Sequence, residues 1–219
     1  AMKPRVVAAW HDLGTVLKEL NEHEEAVGVL EHAVGMDQHN AMSHYYLGAA
    51  LAMAAKPEDA IASYQKAVAI DPNLTGAHIG LGHVLKTVGD QSGGIAAYRR
   101  AIELRPSFGE TYYSLANLKT FKFEESDIDA RSLRLADETL PVDCRVHFGF
   151  SLGKAFEDLK DYERAFEHYE IANQLHRDTI AYDPVQTEVA HERMRNIFSE
   201  EYFDDRKSGE VCSVADPIF

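Results

Sequence analysis

Residues 42–73 read MSHYYLGAALAMAAKPEDAIASYQKAVAIDPN. Two apolar stripes run through this stretch, each with the period of a helix. His44, Leu47, Gly48 and Leu51 fall at i, i+3, i+4 and i+7, so they share one face of a first helix. Pro57 breaks the chain and suits the first turn of a second helix, where its missing N–H costs nothing. Ala60, Tyr64, Ala67 and Val68 continue the helical spacing there. Pro72 disfavours the helical region for Asp71 and closes the pair. Gly48 and Ala60 are small where two helices must approach, and Tyr64 is large enough to fill the space between this pair and the next.

The pair recurs every 34 residues. Trp10, His44, His78 and Tyr112 form one series, Leu13, Leu47, Leu81 and Leu115 a second, and Gly14, Gly48, Gly82 and Ala116 a third. On the second helix the series are Ala26, Ala60, Gly94; Leu30, Tyr64, Tyr98; and Ala33, Ala67, Ala101. This period with this residue set resembles the tetratricopeptide repeat. The resemblance implies an all-α, right-handed superhelix of about five helix pairs with a C-terminal capping helix, since a repeat stack must cover its last apolar face.

Along the chain, residues 7–108 read as three regular units and 109–182 as irregular fourth and fifth units. Residues 183–198 read as the capping helix, and 199–219 as a tail leading to a missing domain. Trp10 takes the large core position of its helix. In the third unit Gly93 and Gly94 predict a second helix that frays or starts late, because glycine costs about 1 kcal/mol in a helix. The fourth unit begins with Tyr112, Leu115 and Ala116 and then departs from the pattern through residues 119–123. Ser126 with Asp129 suggests a capping box for a helix from Asp127 to about Glu138, offering Ile128, Leu133, Leu135, Ala136 and Leu140 to a core. A fifth unit follows a step of 37 residues, with Leu152, Gly153 and Phe156, then Ala165, Tyr169 and Ala172. Asp161 can cap its second helix, which is expected to run to about Tyr182. Asp183 and Pro184 open the last helix, to about Phe198.

Composition narrows the function. The net charge is −14, and dividing the chain at residue 108 leaves −3 before and −11 after. Phosphate-backbone binding needs clustered Lys and Arg, so nucleic acid is excluded as a partner, and an anionic membrane surface for the same reason. The acidic half reads as a solvated, solubilising face. No apolar run long enough to cross a membrane is present, and no secretory leader is visible. Ala1-Met2 suggests a cloning remnant. Cys144 and Cys212 are distant and lack metal-ligand spacing, consistent with free thiols in the reducing cytoplasm.

Catalytic signatures are missing: no phosphate-cradling glycine loop, no nucleophile elbow and no HExxH occur. His78 and His83 are five apart, poorly placed for one helical face. His44 and His78 lie on the core stripe and read as packing residues. The chain is therefore expected to have no catalytic residue, no metal and no cofactor of its own.

Binding is the better expectation. About 100° around each first helix from the core stripe lies a second set at i, i+4 and i+7, which lines the concave side in the fold that the resemblance implies. It holds His11, Thr15 and Lys18, then Tyr45, Ala49 and Ala52 with Met42 and Met53 beside them. Ile79, His83 and Lys86 come next, and then Tyr113, Asn117 and Thr120. Aromatic and small residues with a few polar groups suit an extended protein or peptide ligand. The Lys/Asn clamp by which chaperone-binding repeats hold a terminal carboxylate is absent, as is the asparagine ladder of the O-linked N-acetylglucosamine transferase repeats. The expected function is a protein-interaction scaffold. The alternatives are self-association, as a homodimer whose groove takes another copy's tail, and a co-chaperone-like adaptor.

A second resemblance covers residues 109–219. Leu115 to Phe123, Leu152 to Ala155 with Glu157-Asp158, Tyr162, Ala165-Phe166, His168-Tyr169, Asn173 and Tyr182 look like a segment of bacterial proteins that fuse these repeats to a sulfotransferase. The resemblance implies that Pro217-Ile218-Phe219 leads into the catalytic domain. The loop that binds 3′-phosphoadenosine 5′-phosphosulfate would then lie beyond residue 219, and the repeats would recruit substrate or assist assembly.

Overall fold

A computed structural model describes residues 4–118, 120–180, 183–200 and 202–203, with Pro4 and Arg5 as backbone alone. Eleven α-helices and no strands occur among the described residues. The first six are α1 (Pro4–Glu19), α2 (His23–Met36), α3 (Ala41–Met53), α4 (Pro57–Ile70), α5 (Thr75–Thr87) and α6 (Gln91–Leu104). They form three antiparallel hairpins in the expected register. The remainder are α7 (Gly109–Ala116), α8 (Glu125–Ala136), α9 (Val142–Asp158), α10 (Tyr162–Arg177) and α11 (Pro184–Ile197). The chain divides into two compact units, Ala1–Arg177 and Asp178–Phe219. The first is an all-helical repeat solenoid.

Local signals set the helix ends. Asn40 and Asp90 accept from the backbone N–H groups of Ser43 and Gly93 and so cap α3 and α6. Pro57 occupies the first turn of α4. Asp161 accepts from Arg164 N at 3.1 Å and caps α10, as expected. In the second unit, Asp183 caps α11 through Val185 N and Gln186 N.

The hairpins nest through small residues. A Cβ on Gly14 would lie 2.6 Å from Leu30, one on Gly48 2.9 Å from Tyr64, and one on Gly82 2.7 Å from Tyr98. Gly153 stands in the same relation to Tyr169, at 2.5 Å, so the fifth unit reproduces the device. Tyr64 also presses on Gly80 of the next unit and so spans the joint between repeats. The apolar core falls into three clusters, one around Ala26, Leu30 and Leu51, one around Tyr98 and Leu115 and one around Phe148 and Leu152, the last two sharing the half-buried Ile102 and Phe123.

Two core histidines have a structural task. His44 Nε2 lies 3.0 Å from Gln38 O, and His78 Nε2 lies 3.0 Å from Pro72 O. Each ties the start of a repeat to the turn six residues earlier, satisfying a carbonyl that the turn leaves without a helical partner.

Several expectations are corrected. Leu13 is exposed rather than in the core, since among the described residues no helix of a preceding repeat lies over it, and Trp10 is only half-buried, its ring 4.7 Å from that of His32. The α6 helix begins on time at Gln91. The Asp90 cap offsets its glycines, and Gly94 lets the backbone come close to Gly82 O, 3.3 Å from where its Cβ would be. The α8 capping box is Glu124 with Asp127, not Ser126 with Asp129, and the helix ends at Ala136. Leu133 and Ala136 are exposed, because the buried face of α8 is Ile128, Arg131 and Leu135 at helical spacing. The α10 helix stops at Arg177. Its last buried residue is Ala172, and one turn on His176 is exposed, so packing no longer supports the helix. Tyr182 and residues 204–219 lie outside the described residues.

The fourth unit departs most from the pattern. The α7 helix has eight residues, and it packs on α9 rather than on α8. Arg131 of α8 is completely buried. Its guanidinium lies 3.4 Å from the centre of the Phe123 ring, and it donates to Asp127 O at 2.8 Å and Ser151 O at 3.2 Å. Desolvation pushes its pKa down to about 10, so it stays charged at neutral pH.

Candidate functional site

The inner face is built from α1, α3, α5 and α7, the first helices of the repeats. Along it the structure forms one cleft of about 400 Å³. Tyr45 of α3 makes one wall, Ile79 and His83 of α5 the floor, and Arg105, Phe108 and Glu110 at the α6–α7 turn the far wall. Gly76 opens the room: a Cβ there would be 3.2 Å from the Tyr45 ring. The Tyr64 hydroxyl reaches the same space from α4.

Of the inner-face residues expected from the sequence, Tyr45, Ile79 and His83 meet in this cleft. The others are placed beside it or along the face. His11 Nε2 is 2.8 Å from Ser43 Oγ and its ring is 4.8 Å from that of Tyr46, while Thr15 Oγ1 donates to His11 O at 3.0 Å. Lys18 is half-buried near the end of α1, and burial lowers its pKa. Ala49 and Ala52 are half-buried on α3, and Met42 and Met53 are exposed. Lys86 is exposed one turn after His83. Tyr113 is exposed and turned onto the rings of His147 at 5.4 Å and Phe150 at 6.0 Å. Asn117 ends α7 as its C-cap, and Thr120 Oγ1 donates to Gln91 Oε1.

Sequence reasoning missed Arg105, Phe108 and Glu110. A signal existed: Glu110 stands 34 residues after Gly76, so the residue that makes space in one repeat is followed by a carboxylate at the same place in the next. The turn residues Arg105 and Phe108 had no such signal. They pair with each other, the guanidinium lying 4.9 Å from the ring centre.

The electrostatics are those of a partly dry site. Burial raises the Tyr45 and Tyr64 phenols, so both remain protonated. His83 is exposed by area but desolvated on the side that faces the cleft, which lowers its pKa against the opposing pull of Glu110. Tyr98, pushed up to about 12 by burial, places Oη 2.8 Å from His83 Nδ1, within hydrogen-bond distance. Glu110 is half-buried, and among the described residues no hydrogen bond to its carboxylate is seen. The cleft therefore offers a floor of Ile79 and the His83 imidazole, an aromatic wall, a cation at Arg105 and a carboxylate acceptor at Glu110.

A second cleft of about 430 Å³ lies among Val34, His44, Lys66 and Ile70. Its histidine is already bonded to Gln38 O, which leaves it with less to offer a ligand. No group of acidic, histidine or cysteine side chains suited to a metal ion occurs among the described residues.

The tetratricopeptide-repeat family matches residues 11–74 and again 75–108. The three regular units are tetratricopeptide repeats. None of the curated proteins compared matches the chain. Among solved structures, MamA is similar at 21% identity over 77% of this chain and 97% of that one, with a TM-score of 0.59. MamA from Desulfovibrio magneticus RS-1 has 18% identity over 81% of this chain and 98% of that one, with a TM-score of 0.59. A putative kinesin light chain with nearly identical repeats from Podosopora anserina has 16% identity over 83% and 100%, with a TM-score of 0.63. At these identities the likeness is one of fold. No described helix is long and apolar enough to cross a membrane.

Proposed function

We propose that this chain is a protein-interaction module that holds an extended peptide on the inner face of its repeats. The cleft between Tyr45, Ile79 and Glu110 carries the reading. An apolar side chain enters between Tyr45 and Ile79, and a backbone amide or a basic side chain of the ligand donates to Glu110. The Arg105–Phe108 pair closes the far wall against the peptide backbone. Aromatic and arginine anchors around a dry centre are the usual source of affinity in such grooves. The test is a peptide-array screen followed by fluorescence anisotropy with Ile79→Glu and Glu110→Gln. Ile79→Glu is expected to weaken the selected peptide by at least about tenfold, or 1.4 kcal/mol, with unchanged helicity. An array that yields no ligand, or equal affinity for both variants and wild type, defeats the reading.

A finer reading rests on the resemblance of residues 109–219 to repeat–sulfotransferase fusions. In it the module recruits substrate to, or assembles, a sulfotransferase in the bacterial cytoplasm, and α11 caps the stack. The interruption after α7 and the 37-residue step to the fifth unit favour it. Reading the natural gene past Phe219 tests it: a chain with no strand and phosphate-binding loop there removes the sulfotransferase.

A further inference from the structure

The cleft exists because one helix face is half bare. Gly76, Ile79, Gly80 and His83 fall at i, i+3, i+4 and i+7 along α5, so two of the four places on that face carry no side chain. The same places hold Met42, Tyr45, Tyr46 and Ala49 on α3, and Glu110, Tyr113, Ser114 and Asn117 on α7. Neighbouring repeats reach into the room that the glycines leave. A Cβ on Gly76 would lie 3.3 Å from the Tyr45 hydroxyl oxygen, and one on Gly80 2.6 Å from that of Tyr64. The two glycines are one turn apart, so the two phenol oxygens stand over adjacent turns of α5. No hydrogen bond to either is seen among the described residues.

Glu110 closes the same space from α7. Its carboxylate is half-buried and has no cation beside it among the described residues. The guanidinium of Arg105 lies 4.9 Å from the centre of the Phe108 ring and makes no ion pair with Glu110. Burial is the largest influence on Tyr45, His83 and Tyr98, and the negative charge of Glu110 acts on all three to raise their pKa values. A carboxylate stripped of part of its water and left unpaired is a cost to the folded chain, which a cation from outside would offset. An anionic ligand would meet this carboxylate and a chain of net charge −14, whereas a basic one is drawn to both.

We propose that the residue a partner lays in this cleft is a lysine. Its stem lies along Ile79 and the Tyr45 ring, and its ammonium donates to the Glu110 carboxylate and to the Tyr45 and Tyr64 hydroxyls. An ammonium has three donors and no acceptor, which matches oxygens supplied by α7, α3 and α4. The flat fork of a guanidinium suits a carboxylate taken edge-on and leaves the two phenols unused. This lysine seat rests on the peptide groove proposed above and narrows it: Glu110 selects a side chain rather than a backbone amide, and the partner is a basic segment.

An array of decapeptides tests it on the full chain, with lysine, arginine, methionine, alanine or glutamate fixed at the fifth position and the other positions mixed. Lysine peptides are expected to bind most strongly, arginine peptides less, and glutamate peptides least. The tightest lysine peptide is then measured by fluorescence anisotropy, beside its methionine counterpart, on wild type and Glu110→Gln, with circular dichroism to check that the variant is folded. Replacing the lysine by methionine is expected to cost about tenfold on wild type and less than about twofold on Glu110→Gln. If no peptide binds, the groove falls and the lysine seat with it. If peptides bind but methionine or arginine equals lysine, the groove stands and the lysine seat is overturned. It is overturned as well if the loss of the lysine costs wild type and Glu110→Gln alike.

Discussion

The ring of Tyr64 lies against the backbone of Gly48, 2.9 Å from where a Cβ on that residue would be, and its far edge meets Gly80 of the next repeat. One side chain thus fills the space within a hairpin and the space between hairpins. Large movement of either helix is blocked, since the ring is 4% exposed and has nowhere to go.

Alanine at these glycines should therefore act against its own helix propensity. Gly80→Ala and Gly82→Ala place a methyl inside a packed tyrosine ring. A loss of about 1–3 kcal/mol is expected, in spite of the roughly 1 kcal/mol that alanine gains in a helix. Gly28 in α2 is the control: nothing lies within 4 Å of its would-be Cβ, so Gly28→Ala should stabilise by about 0.5–1 kcal/mol. Urea denaturation of the three variants checks the opposite signs.

Acid should weaken the fold through the inner face. His83 and His11 both have pKa values lowered chiefly by burial. The unfolded chain thus takes up these protons before the folded one does. Their contribution is complete above about pH 6.5, the ordinary histidine value, and is lost as the pH falls through that value towards the lowered folded ones. Thermal midpoints measured from pH 8 to pH 5 should fall over the acid side of this range. In His83→Gln the slope should be shallower.

Asp127 has two tasks and should be more costly to lose than its partner. It accepts both guanidinium nitrogens of Arg99, at 2.8 and 3.0 Å, and it accepts from Glu124 N at 3.2 Å in the α8 capping box. Arg99→Ala removes the first interaction and the guanidinium's contact with the Phe121 ring, 5.1 Å from its centre, but leaves the cap, at an expected cost of about 1 kcal/mol after allowance for solvent. Asp127→Ala removes both and should cost about 2–3 kcal/mol. Hydrogen exchange should report faster opening of α8 in Asp127→Ala than in Arg99→Ala.

Arg131 should resist conservative replacement. Lysine cannot stack on Phe123 and reach Ser151 O and Asp127 O together, because it lacks the planar fork. Arg131→Lys is expected to lose about 2–3 kcal/mol and Arg131→Ala about 3–5 kcal/mol, read as shifts in the denaturant midpoint.

The first three repeats were legible because each position type recurs with its environment. Gly48 and Gly82 each meet the tyrosine of their own hairpin, Tyr64 and Tyr98, and Leu47 and Leu81 each sit on a helix that the preceding hairpin packs against, so the period carries both spacing and burial. Leu13 shows the limit: its identity repeats but its neighbour does not. Gly93 and Gly94 misled because a cap at Asp90 and a backbone approach to Gly82 offset their cost, and neither effect is visible in propensity. Arg131 was illegible for a different reason. An arginine on a helix reads as solvated, and only the tertiary placement of Phe123 and Ser151 gives it a dry seat. In the cleft, Tyr45, Ile79 and His83 were readable from helix periodicity. Arg105 and Phe108 come from a turn, where no periodicity exists.

Gly109 has no side chain where α7 begins, and a Cβ there would collide with the carbonyl oxygen of Cys144 at the start of α9. Main chain meets main chain at that point, so the contact has no tolerance for another residue. For the history of the gene this divides the chain. A 34-residue block such as residues 41–74 could be duplicated or lost, and the flanking hairpins would rejoin on equal terms. A block that separated residue 109 from α9 would lose this close main-chain contact, so growth and shrinkage of the array should be confined to the side before Gly109.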